Sequence, residues 1–279
     1  MIKLSLLLAL LSFTSLSAFA EVIWFADPNK STQVNDFFKR FDDGNYPQDY
    51  CKVKGDHKGV EASTAVVFTD EKLGQVWKIN KPKNRKRGEF ARFEGLKNNY
   101  SPKEGDDIYI AWQWKIDTVD KAQIDKEVTV FQWKSASPHN QNYPLNLEYD
   151  GELTLNAWGA DFVGDKSYSS RRTVLWRKTV PQNEWISLVI RIKVSKAEHG
   201  GLVQFWFNGK QQELANLRSE TYQVKVSKDN KTVFHRTNDG RFVYPKWGAY
   251  NRKSCKFDIN AYFHEMKVGT SLVEVMANH

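Results

Sequence analysis

"DIYIAWQWKI", residues 107–116, places Ile108, Ile110, Trp112, Trp114 and Ile116 at every second position. Side chains alternate between the two faces of a β-strand, so this period of two gives one apolar face and predicts a strand buried on that side. The same pattern recurs in "WISLVIRIKV", residues 185–194, with Ile186, Leu188, Ile190, Ile192 and Val194. Leu153 and Leu155 alternate with Thr154 and Asn156. "YDGE" at 149–152 and "FNGK" at 207–210 carry the Asp-Gly and Asn-Gly pairs that suit type I′ hairpin turns. Helical periodicity is weak, and its best candidates are Val34–Phe41 and Gln211–Leu217. The expected fold is all-β: a β-jelly roll, a concanavalin-like sandwich of two curved antiparallel sheets with a concave face that can hold a polymer. Trp112 and Trp114 share their face with three isoleucines and read as core, not as a sugar platform.

At the N-terminus, Lys3 precedes the mostly apolar run Leu4–Phe13, and Ala18-Phe19-Ala20 follows as a small-x-small cleavage site. Residues 1–20 read as a secretory signal peptide. The run is too short to span a membrane comfortably, and no basic flank follows it. Residues 21–279 are expected to form one domain, secreted or periplasmic, monomeric and without a membrane partner. Lys and Arg number 41 against 33 Asp and Glu, a formal charge of +8. On an exported protein, that excess favours an anionic polysaccharide over nucleic acid. Cys51 and Cys255 are the only cysteines, and an oxidising compartment permits a disulfide between them. Two separate thiols remain the alternative, and two distant cysteines make a poor zinc site.

Three segments carry polar chemistry. In "VFQWK", a regular strand from residue 128 puts Val128, Val130, Gln132 and Lys134 on one face. The valines would then pack at the covered end while Gln132 and Lys134 emerge into a groove. "KPKNRKRGEFARFEG", residues 81–95, begins as a basic run and then sets Arg87 and Glu89 on one face. An arginine held by a glutamate makes a suitable fork for a carboxylate or sulfate. "VYPKWGAYNR", residues 243–252, offers Tyr244, Lys246, Tyr250 and Arg252 around a glycine. Pro245 disturbs the strand phase there, which leaves the facing of Tyr244 and Lys246 open.

"RGEF", "QWK" and "YPKWGAYN" together resemble the three-strand motif of family 7 alginate lyases. The longer segments "NKPKNRKRGEFAR", "EGDDIYIAWQWKI" and "QWKSASPHNQNYPLNLEYDGELTLNAW" resemble the ulvan lyases of polysaccharide lyase family 28, a likeness running from about Asp27 to Val268. The resemblance implies a jelly-roll enzyme that breaks a glycosidic bond by β-elimination at a uronic acid. Such chemistry needs a neutralised carboxylate, a base at C5 and an acid for the departing C4 oxygen. Carried over, Tyr250 takes the position of the catalytic tyrosine, as base, acid or both. Gln132 matches the glutamine that neutralises the carboxylate, and Arg87 the arginine of the Arg-x-Glu strand. Lys134 departs from the pattern, standing where alginate lyases have histidine. A lysine serves as a base only if its pKa falls well below about 10, so Lys134 is expected to tune Tyr250 or to bind the acidic sugar.

His139, Asn142, Asn146, Tyr244, Lys246, Arg92 and Arg252 complete the candidate substrate contacts, while His264 reads as a structural residue of a closing strand. No cofactor is implied; a structural calcium stays open, without a recognisable ligand loop. Two other functions compete. One is a non-catalytic module binding anionic glycans. The other is a jelly-roll hydrolase using Glu148 and Glu152 of "EYDGE", which is disfavoured because an Asp-Gly turn interrupts the motif.

Overall fold

A computed structural model describes residues 21–45, 61–97, 99–117, 127–139, 141–160, 170–214, 224–251 and 257–276. Its first half holds β1 (Val22–Ala26), β2 (Arg40–Asp42), β3 (Thr64–Asp70), β4 (Gly74–Lys81), β5 (Arg87–Ala91), β6 (Asp107–Ile116), β7 (Val128–Ser135), β8 (Leu145–Tyr149) and β9 (Glu152–Ala160). There follow β10 (Ser170–Thr179), β11 (Ile186–Lys193), β12 (Gly201–Phe207), β13 (Lys210–Gln211), β14 (Lys225–Val226), β15 (Val233–His235), β16 (Val243–Tyr250), β17 (Ile259–Gly269) and the short helix α1 (Leu272–Met276). One sheet runs β14-β15-β12-β11-β6-β17-β4-β3, with β1 added on β17 and β13 on β12. The other runs β10-β9-β8-β7-β16-β5-β2. Adjacent strands are antiparallel throughout, and the all-β expectation holds.

The alternation in the sequence builds the core. Ile108, Ile110, Trp112, Trp114 and Ile116 of β6 are all buried, as are Ile186, Leu188, Ile190 and Ile192 beside them on β11. The two sheets meet through aromatic rings: Trp112 stacks on Phe131 at 5.0 Å, and Trp114 meets Tyr149 edge-on at 5.6 Å. Each such ring removes about 150–250 Å² from water, about 4–6 kcal/mol as an upper bound. Three buried indole nitrogens are matched to carbonyls: Trp24 donates to Phe37 O, Trp77 to Ala26 O and Trp133 to Thr237 O, at 3.1, 3.1 and 2.9 Å, while those of Trp112, Trp114 and Trp247 sit among apolar neighbours without an acceptor.

Four local expectations meet different fates. "FNGK" is a two-residue type I′ turn, with Asn208 at φ +47° and Gly209 at φ +75° between the paired Phe207 and Lys210. "YDGE" is not. Tyr149 pairs with Leu153, so three residues form the loop, and among them Gly151 alone takes a positive φ, +102°. The helix expected over Val34–Phe41 is a 3-10 turn at Val34–Asp36 followed by strand β2, because Phe37 and Phe38 bury into the core instead of lining a helical face. Lys210–Gln211 is likewise strand, where a helix was expected to begin at Gln211.

β7 also departs from the simple reading. Its register is irregular between Thr129 and Phe131 against β8: Thr129 pairs with Glu148 and Phe131 with Leu147, which leaves Val130 as an extra residue. This bulge resets the alternation. Val128, Val130, Phe131 and Trp133 enter the core, while Gln132 and Lys134 take the opposite face. The valines and the polar pair therefore do not share a face as a regular strand would require.

Glycine is demanded where β16 meets β5. A Cβ on Gly248 would lie 2.0 Å from Gly88 O and 2.7 Å from Glu89 Cα. Gly248→Ala is expected to force these strands apart at a cost of about 1–3 kcal/mol or more, lowering Tm by about 3–10 °C in a melting experiment.

Candidate active site

The seven-stranded sheet turns its second face away from the core, and three neighbouring strands make that face polar. Arg87 and Glu89 come from β5, Tyr244, Lys246 and Tyr250 from β16, Gln132 and Lys134 from β7. Register fixes their order: Tyr250 lies opposite Arg87, Gly248 opposite Glu89, Lys246 opposite Gln132 and Tyr244 opposite Lys134. Pro245 does not break the phase, since Val243, Trp247 and Ala249 stay in the core.

Glu89, 1% exposed, is the hub. Its Oε1 accepts a hydrogen bond from Gln132 Nε2 at 2.5 Å, and its Oε2 accepts one from Lys246 Nζ at 2.7 Å. Arg87 Nη1 stands 3.5 Å from the same Oε2. Lys246 Nζ is also 2.6 Å from Asp42 Oδ2, which reaches in from β2, where Arg40 Nε lies 2.7 Å from Oδ1. Burying charges at this depth costs several kcal/mol per ion unless opposite charges are interleaved, as here. Burial opposes the Lys246 ammonium, but Glu89 and Asp42 outweigh it and raise its pKa. Burial likewise opposes the Asp42 carboxylate, and Lys246, with help from Arg40 and Arg87, still holds its pKa below the usual range.

Lys134 lies beside this cluster with a different balance. Burial, then repulsion from Lys246, lowers its pKa to about 8; Arg87 adds to the effect, while Glu89 and Asp42 partly oppose it. Its Nζ donates to Asn142 Oδ1 in the loop after β7, and that loop is tied back by Ser135 N donating to Asn142 O at 2.8 Å. His139 sits in the same loop with Nδ1 buried and without a hydrogen bond. Across the same face, the Arg87 guanidinium, one of the charges felt by Lys134, lies 4.4 Å over the ring of Tyr250.

A second network extends across β8, β9 and β10. Asn146 Oδ1 accepts from Trp158 Nε1 at 2.8 Å and from Asn156 Nδ2 at 3.2 Å. Glu148 accepts from Asn146 at 2.9 Å, Asn156 at 3.1 Å and Arg172 at 3.2 Å, and burial raises its pKa. The register sets Thr154, not Glu152, opposite Glu148, and Glu152 is a half-buried partner of Arg177 at 3.8 Å. Both glutamates line one small depression with Glu127, Asp150 and Arg172. Glu148 is thus bound into a polar lattice, and the pair does not face across one strand as the "EYDGE" spacing suggested.

The structure gathers Arg87, Gln132, Lys134, Asn142, Asn146, Tyr244, Lys246 and Tyr250 around one face. Lys246 is sealed beneath it, 1% exposed with its ammonium used by two carboxylates, and is corrected from substrate contact to internal cation. Arg92, at φ +69°, stacks 4.8 Å over Tyr244 and 4.9 Å over Phe242. His264 belongs to the other sheet, where Nδ1 meets Gln113 Oε1 at 2.7 Å. Arg252, Cys51, Cys255 and the signal segment lie outside the described residues. Among the described residues no group of three or more His, Cys, Asp or Glu is arranged to hold a metal ion. Sequence reading missed Asp42, whose one visible signal is an acidic residue directly after "FKRF".

Two antiparallel sheets with Arg-x-Glu, Gln-x-Lys and tyrosine strands side by side form a jelly roll of the polysaccharide-lyase type. The chain belongs to the polysaccharide lyase family, whose sequence profile matches residues 39–267. The endo-β-1,4-glucuronan lyase from the fungus Trichoderma reesei superposes with a TM-score of 0.55 at 13% identity, over 85% of this chain and 98% of that one, a likeness of fold. The family 14 alginate lyase from Aplysia kurodai superposes with a TM-score of 0.49 at 11% identity, over 90% and 100% of the two chains. A search of curated proteins finds no significant match.

Proposed function

We propose that this protein cleaves a sulfated, uronate-containing polysaccharide, ulvan, by β-elimination. One observation carries the reading: Arg87, Gln132, Lys134 and Tyr250 stand on one face of three adjacent strands in a chain of the lyase family. Arg87 and the second N–H of Gln132 take the uronate carboxylate, and neutralising that charge lets C5 release its proton. Lys134 is the base. With its pKa lowered to about 8, a useful fraction of the amine is unprotonated at mildly alkaline pH. It takes the C5 proton; the C5–H electrons form the C4=C5 double bond as the C4–O bond breaks. Tyr250 gives its hydroxyl proton to the departing oxygen. This assigns Lys134 a fuller part than tuning Tyr250 or binding sugar, and no water or cofactor enters the balance.

Ulvan is favoured over alginate by Lys134 itself, which stands where the alginate-lyase pattern has histidine, and by the long segments resembling family 28. The exported character read from residues 1–20 fits an extracellular polymer. Purified protein mixed separately with ulvan, glucuronan and alginate tests the reading through the ultraviolet absorbance of an unsaturated uronate. The fastest rise is expected with ulvan. A rise with another polymer alone would replace the substrate, and new reducing ends without absorbance would mean a hydrolase. Binding without any cleavage would leave a glycan-binding module.

A further inference from the structure

Asp42 lies on the three-residue edge strand β2, three strands from β7, yet it is 6% exposed and aimed at the centre of the face. Its partner Lys246 is 1% exposed, too deep to meet a polymer directly. An ion pair of this depth is a costly way to gain stability, since apolar residues of the same volume often do as well. Its geometry suggests another use. Lys246 occupies Glu89 Oε2, which leaves Oε1 for Gln132 and so fixes which end of the Gln132 amide is nitrogen.

We propose that Asp42 and Lys246 are positioning residues of the reaction: their ion pair orients Glu89, and through it the Gln132 amide, and their two charges act in opposite senses on the Lys134 amine. The second half rests on the reading of Lys134 as base. Among the described residues, the elements packed around that amine contribute these charged and titratable groups. β16 contributes Lys246 and, directly opposite, Tyr244. β5 contributes Arg87 and Glu89, β2 contributes Asp42, and the loop after β7, which also carries His139, contributes the Asn142 carboxamide. Lys246 and Arg87 repel a proton on Lys134, and Glu89 and Asp42 favour it.

The experiment is the pH profile of kcat/KM for Asp42→Asn and Lys246→Met beside the unaltered protein. Asp42→Asn removes an attraction for the proton, so the acidic limb moves down by about 0.5–1 pH unit. Lys246→Met removes a repulsion and moves the limb up by a similar amount, about 0.5–1 unit. Both also lower kcat as Gln132 loses its fixed orientation. A merely structural pair would lower activity in both variants with the limb unmoved or moved the same way, and either result overturns the proposal. If circular dichroism shows that Lys246→Met does not fold, the sign of the Asp42→Asn shift decides alone. Lys134→Met separates the two readings: retained turnover removes the base assignment itself, whereas lost turnover with unmoved limbs removes only the part given to Asp42 and Lys246.

Discussion

Lys134→Arg keeps a positive charge at the face and loses kcat by about 10²–10⁴-fold, the usual contribution of a positioned base. A guanidinium stays protonated at every working pH and cannot accept the C5 proton, whereas it binds carboxylates at least as well as an ammonium. Binding of ulvan, measured by calorimetry or gel retardation, is therefore retained while turnover disappears. If Lys134 only held the acidic sugar, the arginine variant would remain active. The unaltered protein supplies the companion result. The deprotonated amine is the active form, so kcat/KM climbs about tenfold per pH unit and levels off above the Lys134 pKa of about 8. A limb centred near the ordinary histidine or carboxylate range would assign the base elsewhere.

Tyr250→Phe is expected to lower kcat by about 10²–10⁴-fold with the melting temperature unchanged. The Arg87 guanidinium at 4.4 Å still has an aromatic ring to cover, so packing survives while the proton donor is gone. Tyr244→Phe is the control on the same strand. Tyr244 is 6% exposed beneath Arg92, and burial raises its pKa. Its hydroxyl is a poor route to solvent or substrate, and the loss there is held to about tenfold or less, a supporting contact rather than proton transfer. Equal losses in the two variants would remove Tyr250 from the role of acid.

The fold was legible because the core strands alternate without interruption. Five apolar positions on β6 and their counterparts on β11 have one sensible burial, and the rings of Trp112 and Trp114 followed them inward. The polar face was legible in part, through motif strands whose alternation holds from Arg87 to Glu89 and from Tyr244 to Tyr250. Two physical causes hid the rest. Val130 is an extra residue in its ladder, and periodicity cannot register a bulge whose neighbours are also apolar. Asp42 sits on a strand three residues long, preceded by phenylalanines that imitate a helical stripe, and its partner Lys246 is 204 positions further along the chain. Buried charge is also invisible to a scan for exposed motifs: Lys246 looked like a groove cation because nothing local announced Asp42 or the depth of Glu89.

The extra residue at Val130 makes length changes in β7 unequal. Between the bulge and Lys134, polar and apolar positions alternate strictly, so losing Trp133 would carry the Lys134 ammonium into the space the indole fills. Losing Val130 would straighten the ladder with β8, with Thr129 still opposite Glu148 and Phe131 opposite Leu147, and would leave the adjustment to the β16 side, where the pairing already shifts between Trp247 and Tyr250. Single-residue gaps among natural variants of this strand should therefore collect at position 130. A library of one-codon deletions through residues 128–135 should yield soluble protein there far more often than at any neighbouring position.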